Sequence, residues 1–203
     1  MKKILLSIVT LFLLFIFVQP ASAQLKKNSW LWTLNVGYVP LTSELTNNSI
    51  DGWTGSTTVE KLIGQSNWSI GMNFAFFNAE DNNANIDAVE MKQSYSTYSI
   101  YLGTKYFVTG MDKWVPYFGL SLGVNQNSRY TTISGTPTTL NSDVVSGTEH
   151  KSSYAFAAPI GVNWFVSDEV YLGLNLTSIW NDDTYFTSAV NLLMNLSVGF
   201  QIN

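Results

Sequence analysis

A period of two in the apolar residues limits this chain more than any other feature. From Trp30 to Val39, the residues Trp30, Trp32, Leu34, Val36 and Tyr38 alternate with Leu31, Thr33, Asn35, Gly37 and Val39. Side chains two apart share one face of an extended strand, whereas a helix repeats every 3.6 residues, so the segment reads as a two-faced β-strand. Trp68, Ile70, Met72, Phe74 and Phe76 alternate in the same way with Ser69, Gly71, Asn73 and Ala75, and Tyr98 to Tyr106 with Ser99, Tyr101, Gly103 and Lys105. The pattern returns over Phe118 to Asn125, Phe156 to Trp164, Tyr171 to Trp180 and Phe186 to Ile202. These are seven strands of one class, and the chain is all-β.

The composition of the second face decides what the first face looks at. The polar positions are Gly, Ser, Asn and Thr with hardly any charge, and charged residues make up 12% of the chain against 14% aromatic. A soluble barrel turns its apolar face inward and clothes its outside in Lys and Glu, so this face suits an interior and the apolar face suits lipid. Aromatics also gather at both ends of the apolar band: Trp30, Trp32, Trp68, Tyr106, Trp164 and Phe200 at one, Tyr38, Phe76, Tyr98, Phe156, Trp180 and Phe186 at the other. Two aromatic girdles mark the two interfaces of a bilayer. Bacterial single-chain barrels have an even strand count, so an eighth strand is expected between Leu41 and Trp68. Thr57 to Ile63 is the candidate, with Val59 and Ile63 on one face and Glu60 on the other. The expected fold is an eight-stranded antiparallel up-and-down transmembrane β-barrel.

The N-terminus fits that destination. Lys2 and Lys3, an apolar run from Ile4 to Val18, and Ala21-Ser22-Ala23 form the three regions of a secretory signal with its small-residue cleavage site. Residues 1–23 are thus predicted to be a cleaved signal peptide and 24–203 the barrel domain. The absence of cysteine excludes a disulfide scaffold and a lipid-anchored cysteine. Without Lys2 and Lys3 the ten basic residues become eight against fourteen acidic ones, a net charge of −6. That balance argues against nucleic acid or anionic headgroups as simple electrostatic partners.

Three tight hairpins are predicted, around Ile63-Gly64, after Phe107-Val108 and after Phe165-Val166, on the periplasmic side with both termini. The connections Thr42 to Gly52, Asn78 to Ser94, Gln126 to Ser153 and Asn181 to Thr184 are rich in Asn, Ser, Thr and Gly and are expected as extracellular loops. Pro159 lies inside a strand that a closed wall pairs on both sides, and proline cannot donate to the ladder, so a local bulge is expected there.

The chain resembles the small eight-stranded outer-membrane barrel family that includes OmpX and the barrel domain of OmpA. The likeness runs through Pro116-Tyr117-Phe118-Gly119-Leu120-Ser121-Leu122-Gly123 and the Gly161 to Gly173 hairpin and covers the mature chain. It implies a cell outer-membrane location, lipid and lipopolysaccharide as surroundings, and the barrel assembly machinery as a partner in biogenesis. Members of the family usually end in an aromatic residue, whereas Phe200 and Ile202 here precede Asn203.

Eight strands leave an interior just wide enough for side chains to fill. Asn35, Asn73, Ser99, Tyr101, Asn163, Asn175, Asn191 and Asn195 are expected to form a packed polar core. Within it Glu60 and Lys105 either pair internally or each face water near an end of the barrel. The single histidine sits in Glu149-His150-Lys151-Ser152. His150 as base, Ser152 as nucleophile and Glu149 as orienter would resemble the catalytic set of outer-membrane lipid A deacylases, but the stretch reads as a solvated loop. Glu80-Asp81 and Asp182-Asp183 lack the regular ligand spacing of a calcium loop. No catalytic, cofactor or metal residue is assigned on this basis. The expected role is a non-enzymatic scaffold for extracellular loops, with a lipid A-modifying enzyme and a narrow solute channel as alternatives.

Overall fold

The computed structural model describes residues 25–42, 49–86, 89–109, 113–134, 145–181 and 190–202. They form eight strands: β1 (Trp30–Thr42), β2 (Ser49–Leu62), β3 (Trp68–Ile86), β4 (Val89–Phe107), β5 (Trp114–Ser134), β6 (Val145–Phe165), β7 (Val170–Asn181) and β8 (Val190–Ile202). Each is antiparallel to its sequence neighbours, and β8 pairs with β1 to close a barrel in the order of the sequence. Partners followed once around the wall from Trp68, through Tyr106, Phe118, Ile160, Leu176, Met194, Tyr38 and Trp53, lead to Asn78, ten residues further along β3. Such a stagger tilts the strands, typically by roughly 35–45° from the barrel axis.

Faces fall as the alternation requires. Val36 is 61% exposed, Leu102 57%, Leu122 68% and Leu196 64%, while the intervening Thr33, Ser99, Asn125 and Ser197 are all under 9%. A continuous belt of exposed aliphatic side chains around the whole molecule is far larger than any patch a soluble monomer tolerates, and its solvent is hydrocarbon. Aromatic pairs border the belt. Trp32–Phe200, Trp68–Tyr106 and Trp114–Trp164 stand at the short-turn end with ring centroids 5.9, 5.1 and 5.9 Å apart. Trp53–Phe76 and Phe156–Trp180 stand at the other end, both at 5.2 Å.

Three expectations are corrected. The second strand is longer than Thr57 to Ile63, starting at Ser49 and pairing with β1 and β3. Its Gly52, Gly55 and Ser56 carry too little side chain to display an alternation. Much of the supposed loops is also strand. β3 to β6 contain 19, 19, 21 and 21 residues against 12 to 14 in the other four. Their far ends are polar on both faces, so pairing there leaves no apolar period to read. Pro159, finally, makes no bulge. Phe118 opposite Ile160 and Ser121 opposite Ala157 keep one register, with only the Gly119 and Leu120 pairings missing between them. The other side of the strand is continuous from Ala155–Asn181 to Phe165–Tyr171. The ladder tolerates proline by forgoing local pairs, and the register shift of the wall lies elsewhere, between Asp81 and Ala84.

The turns around Ile63-Gly64 and after Phe165-Val166 are as tight as expected, while the one after Phe107-Val108 runs partly outside the described residues. Ile63 N donates to Trp68 O at 2.8 Å, with Gly64 at φ 54° in a conformation that favours glycine. Val166 N donates to Val170 O at 2.9 Å. The predicted signal peptide, Asp182-Asp183, Phe186 and Asn203 lie outside the described residues.

Candidate functional site

The interior is layered along the barrel axis. At the short-turn end Leu31, Leu62, Phe107, Val115, Phe165, Tyr117 and Tyr171 are buried in one apolar cluster, with Leu25 packed against it. These residues occupy inward phase beside outward aromatics, as in Trp30-Leu31-Trp32, Tyr106-Phe107 and Trp164-Phe165. Adjacent apolar residues at the turns were the available sequence signal for this plug. Reading every inward position as polar missed it.

Directly above the plug is the ion pair. Lys105 Nζ lies 2.8 Å from Glu60 Oε1, and Glu60 is 3% exposed. Ser69 Oγ donates to Glu60 Oε2 at 2.5 Å, and the ammonium sits 5.0 Å from the centroid of the Tyr117 ring. Of the two readings open from the sequence, the internal pair is the one formed. β2, β3 and β4 are consecutive in the wall, so Glu60, Ser69 and Lys105 converge across three strands. Two tyrosines roof the plug, and both need glycine opposite. A Cβ on Gly199 would stand 2.0 Å from the Tyr171 ring, and one on Gly161 would stand 2.7 Å from that of Tyr117.

A cavity of about 90 Å³ follows, lined among others by Asn35, Ser56, Thr58, Asn73, Asn175 and Asn195. Its amides bind one another: Asn195 Nδ2 donates to Asn175 Oδ1 at 2.9 Å, Asn175 Nδ2 to Asn35 Oδ1 at 3.2 Å, and Asn73 Nδ2 to Thr58 Oγ1 at 2.6 Å. The side chain of Asn191 lies outside the described set. Tyr101, Ile179 and Leu193 separate this space from a second cavity of about 60 Å³ toward the long-strand end. Tyr101 OH donates to Asn125 Oδ1 at 3.0 Å, Asn125 Nδ2 to Asn181 Oδ1 at 2.7 Å, and Thr97 Oγ1 to Asn127 Oδ1 at 2.8 Å. These inward amides and hydroxyls hold one another, which favours a rigid filler over an open lumen.

The sequence candidates at the long-strand end are split apart by the alternation. Glu149, His150 and Ser152 lie on β6, not in a loop. Glu149 pairs with Arg129 at 2.5 Å, while His150 Nδ1 is 2.8 Å from Ser128 Oγ and Ser152 Oγ donates to Gln126 Oε1 at 2.9 Å. Successive residues of a strand point to opposite faces. Glu149 therefore cannot orient His150, and Ser152 already has another partner. The same rule divides Glu80, exposed, from Asp81, 4% exposed, on β3. Among the described residues no three His, Cys, Asp or Glu side chains gather around a common point.

A closed eight-stranded wall, apolar outside, girdled by aromatics and filled within, is the form of an outer-membrane barrel. Residues 8–201 match the family described as outer membrane protein beta-barrel domain. The chain belongs to that family, and it is a protein of the outer membrane. Among solved structures it is similar to Ail, the attachment invasion locus protein of Yersinia pestis, in complex with the heparin analogue sucrose octasulfate. The TM-score is 0.57 at 10% identity, over 87% of this chain and 100% of that one. Outer membrane protein OprG from Pseudomonas aeruginosa gives 0.52 at 12% identity, over 91% and 100%. Neisserial surface protein A gives 0.51 at 15% identity, over 85% and 96%. At these identities the likeness is one of fold. No curated protein sequence matches the chain.

Proposed function

We propose that this protein is a non-enzymatic scaffold whose long-strand end stands outside the cell and presents β3 to β6 to the surroundings. The observation that carries the reading is the asymmetry of the wall: four consecutive strands of 19 to 21 residues continue beyond an apolar belt that strands of 12 to 14 residues already span. A transmembrane strand needs only about 9–11 residues, so the excess serves something beyond crossing the bilayer. Small outer-membrane barrels keep short turns in the periplasm and longer extensions outside.

The interior supports a scaffold over a channel. The apolar plug, the buried ion pair and the Tyr101 layer lie in series across the lumen. The position of His150 supports a scaffold over a lipid-modifying enzyme, because its neighbours are Ser128 and a strand face that Glu149 does not share.

Orientation is tested with single cysteines, since the chain has none of its own. Thr148 and Ser66 are exposed at opposite ends. A membrane-impermeant maleimide added to intact cells should label Thr148→Cys and not Ser66→Cys, and the reverse result would overturn the topology. Planar-bilayer conductance above background would restore the channel, and fatty acid released from lipid A by the purified barrel would restore the enzyme.

A further inference from the structure

The ladder between β1 and β8, which closes the barrel, stops short at its long-strand end. Pairing ends at Tyr38 with Met194, although β1 runs on to Thr42 beside β2 and β8 begins at Val190 beside β7. The cause lies in the hydrogen-bond phase. Leu62 N donates to Ser29 O and Gln201 N to Glu169 O, so odd-numbered residues of β1 and β8 bond to β2 and β7, and even-numbered ones bond each other across the seam. The next seam bond beyond Tyr38 therefore requires an amide hydrogen on residue 40, donated to Leu192 O. Residue 40 is proline and has none. Among the described residues no pairing of β1 with β8 continues past it, and the wall is parted from Val39 and Leu193 toward the long-strand end.

A cavity lies directly behind the parting. Val39 and Leu193, which the register would set opposite each other, both line the space of about 60 Å³ above the Tyr101 layer, together with Ala75, Phe77 and Ile179. The amides at its border are turned to their neighbours. Asn125 accepts from Tyr101 OH and donates to Asn181 Oδ1, while Asn127 accepts from Thr97 Oγ1 and donates to Ser153 Oγ. A guest inside therefore meets mainly apolar surface. The volume is less than half of the roughly 150 Å³ that accommodates benzene in an apolar cavity, which selects a short alkyl chain over a ring. Tyr38, opposite Trp53, and Trp180, opposite Val190, flank the mouth, and Leu192 is 41% exposed between them. The parting thus opens in the aromatic border, at the depth where amphipathic groups settle between hydrocarbon and water.

We infer that the parting between Pro40 and Leu192 admits the alkyl chain of a small unbranched amphiphile from the bilayer, and that the cavity behind it binds that chain. The chain lies against Val39, Ala75, Ile179 and Leu193, and the polar head stays at the aromatic border. Tyr101, Ile179 and Leu193 close the floor toward the first cavity, so the site is blind and the ligand is held, not conducted. The inference adds a ligand to the scaffold and holds for either orientation of the barrel in the membrane.

The experiment titrates linear 1-alkanols, from ethanol to hexanol, into the whole barrel in phosphatidylcholine nanodiscs. Methyl NMR signals of Val39, Ile179 and Leu193 report the cavity, and those of Leu34 and Leu196 report the lipid face. The cavity methyls should shift saturably, with affinity rising about fourfold for each CH₂ buried and levelling off once the cavity is full. Cyclohexanol should leave them unmoved. Ala75→Leu, which fills the space, should abolish the shifts. The pair Pro40→Cys/Leu192→Cys ties the parting shut when oxidised, since residues facing each other in a hydrogen-bonded pair stand about 5.5 Å apart at Cα, within disulfide reach. Binding should be lost on oxidation and return on reduction. Shifts that grow without saturation and equally at Leu34 and Leu196 would mean partition into lipid and overturn the site, as would full binding in Ala75→Leu. Binding unchanged by the disulfide would overturn entry through the parting and place the route at the long-strand mouth.

Discussion

The two ends of the barrel interior are built on opposite principles, although both lie on the face that alternates with the lipid-facing residues. The short-turn end is sealed by apolar side chains, with one buried ion pair on top. The long-strand end is filled by amides, hydroxyls and the Arg129–Glu149 pair, whose carboxylate partner is largely in solvent. Burial makes the first end intolerant of single losses, because a group left without its partner has no water to turn to. At the second end this changes at Glu149, whose side chain is 60% exposed, so that water replaces a lost partner at small cost, while Gln93, Asn125 and Asn127 are buried like the plug. The exposed rim at Glu149 can thus vary while the sealed end fixes the wall.

The largest effect should come from breaking the ion pair one residue at a time. Lys105→Met leaves Glu60 charged, buried and held only by Ser69, and should cost about 3–5 kcal/mol in reversible unfolding from vesicles. Glu60→Leu combined with Lys105→Met should recover most of that loss. If the double variant is as unstable as the single one, packing around the pair, not its charge, sets the cost. By contrast Glu149→Ala, at the open end, should cost at most about 1 kcal/mol.

Next in size is the lipid face. Leu174 is 52% exposed on the belt, and Leu174→Arg should cost about 2–4 kcal/mol in the same assay. Its inward neighbour Asn175→Ala should cost on the order of 1 kcal/mol, because the cavity it lines can admit water in place of the amide. Equal costs would mean that the belt does not face hydrocarbon.

The contact between Gly199 and Tyr171 sharpens the contrast at a smaller scale. Gly199→Ala drives a methyl into a ring locked in the plug and should cost roughly 1–3 kcal/mol, as overpacking does. Gly147→Ala, at the long-strand end where a Cβ would meet nothing within 4 Å, should leave the unfolding midpoint within about 0.5 kcal/mol of the unaltered protein.

The smallest effect belongs to Pro159. Pro159→Ala restores an amide hydrogen where the pairings of β6 with Gly119 and Leu120 are missing, and the gained bond is offset by a freer unfolded chain. Stability should move by less than about 1 kcal/mol, while amide exchange at Gly119, which faces residue 159, slows by at least several-fold. Unchanged exchange would place the cause of the gap outside proline.

Alternation made the strands of the belt legible, and with them the closed wall and both girdles, because lipid outside and polar filler inside leave a period of two. Where both faces are wet, as in the far ends of β3 to β6, the strands carry no period and read as loops; where both are greasy, as at Leu31 and Phe107 in the plug, the pattern does not show which face is inward. The Glu60–Lys105 pair could be suspected as two rare charges on inward positions, but their meeting depends on register. Glu149 is parted from His150 and Ser152 for the reason the belt is legible: neighbours in a strand face opposite ways.

The amino-acid sequence by itself determined the class of fold and the solvent of each face, since both follow from short-range pattern. Which inward residues touch was decided by the tertiary structure alone. The stagger of ten residues around the wall sets which side chains meet, joining Glu60 to Lys105 across tens of residues. It likewise brings Tyr171 onto Gly199. No local pattern encodes that offset, because it is a property of ring closure.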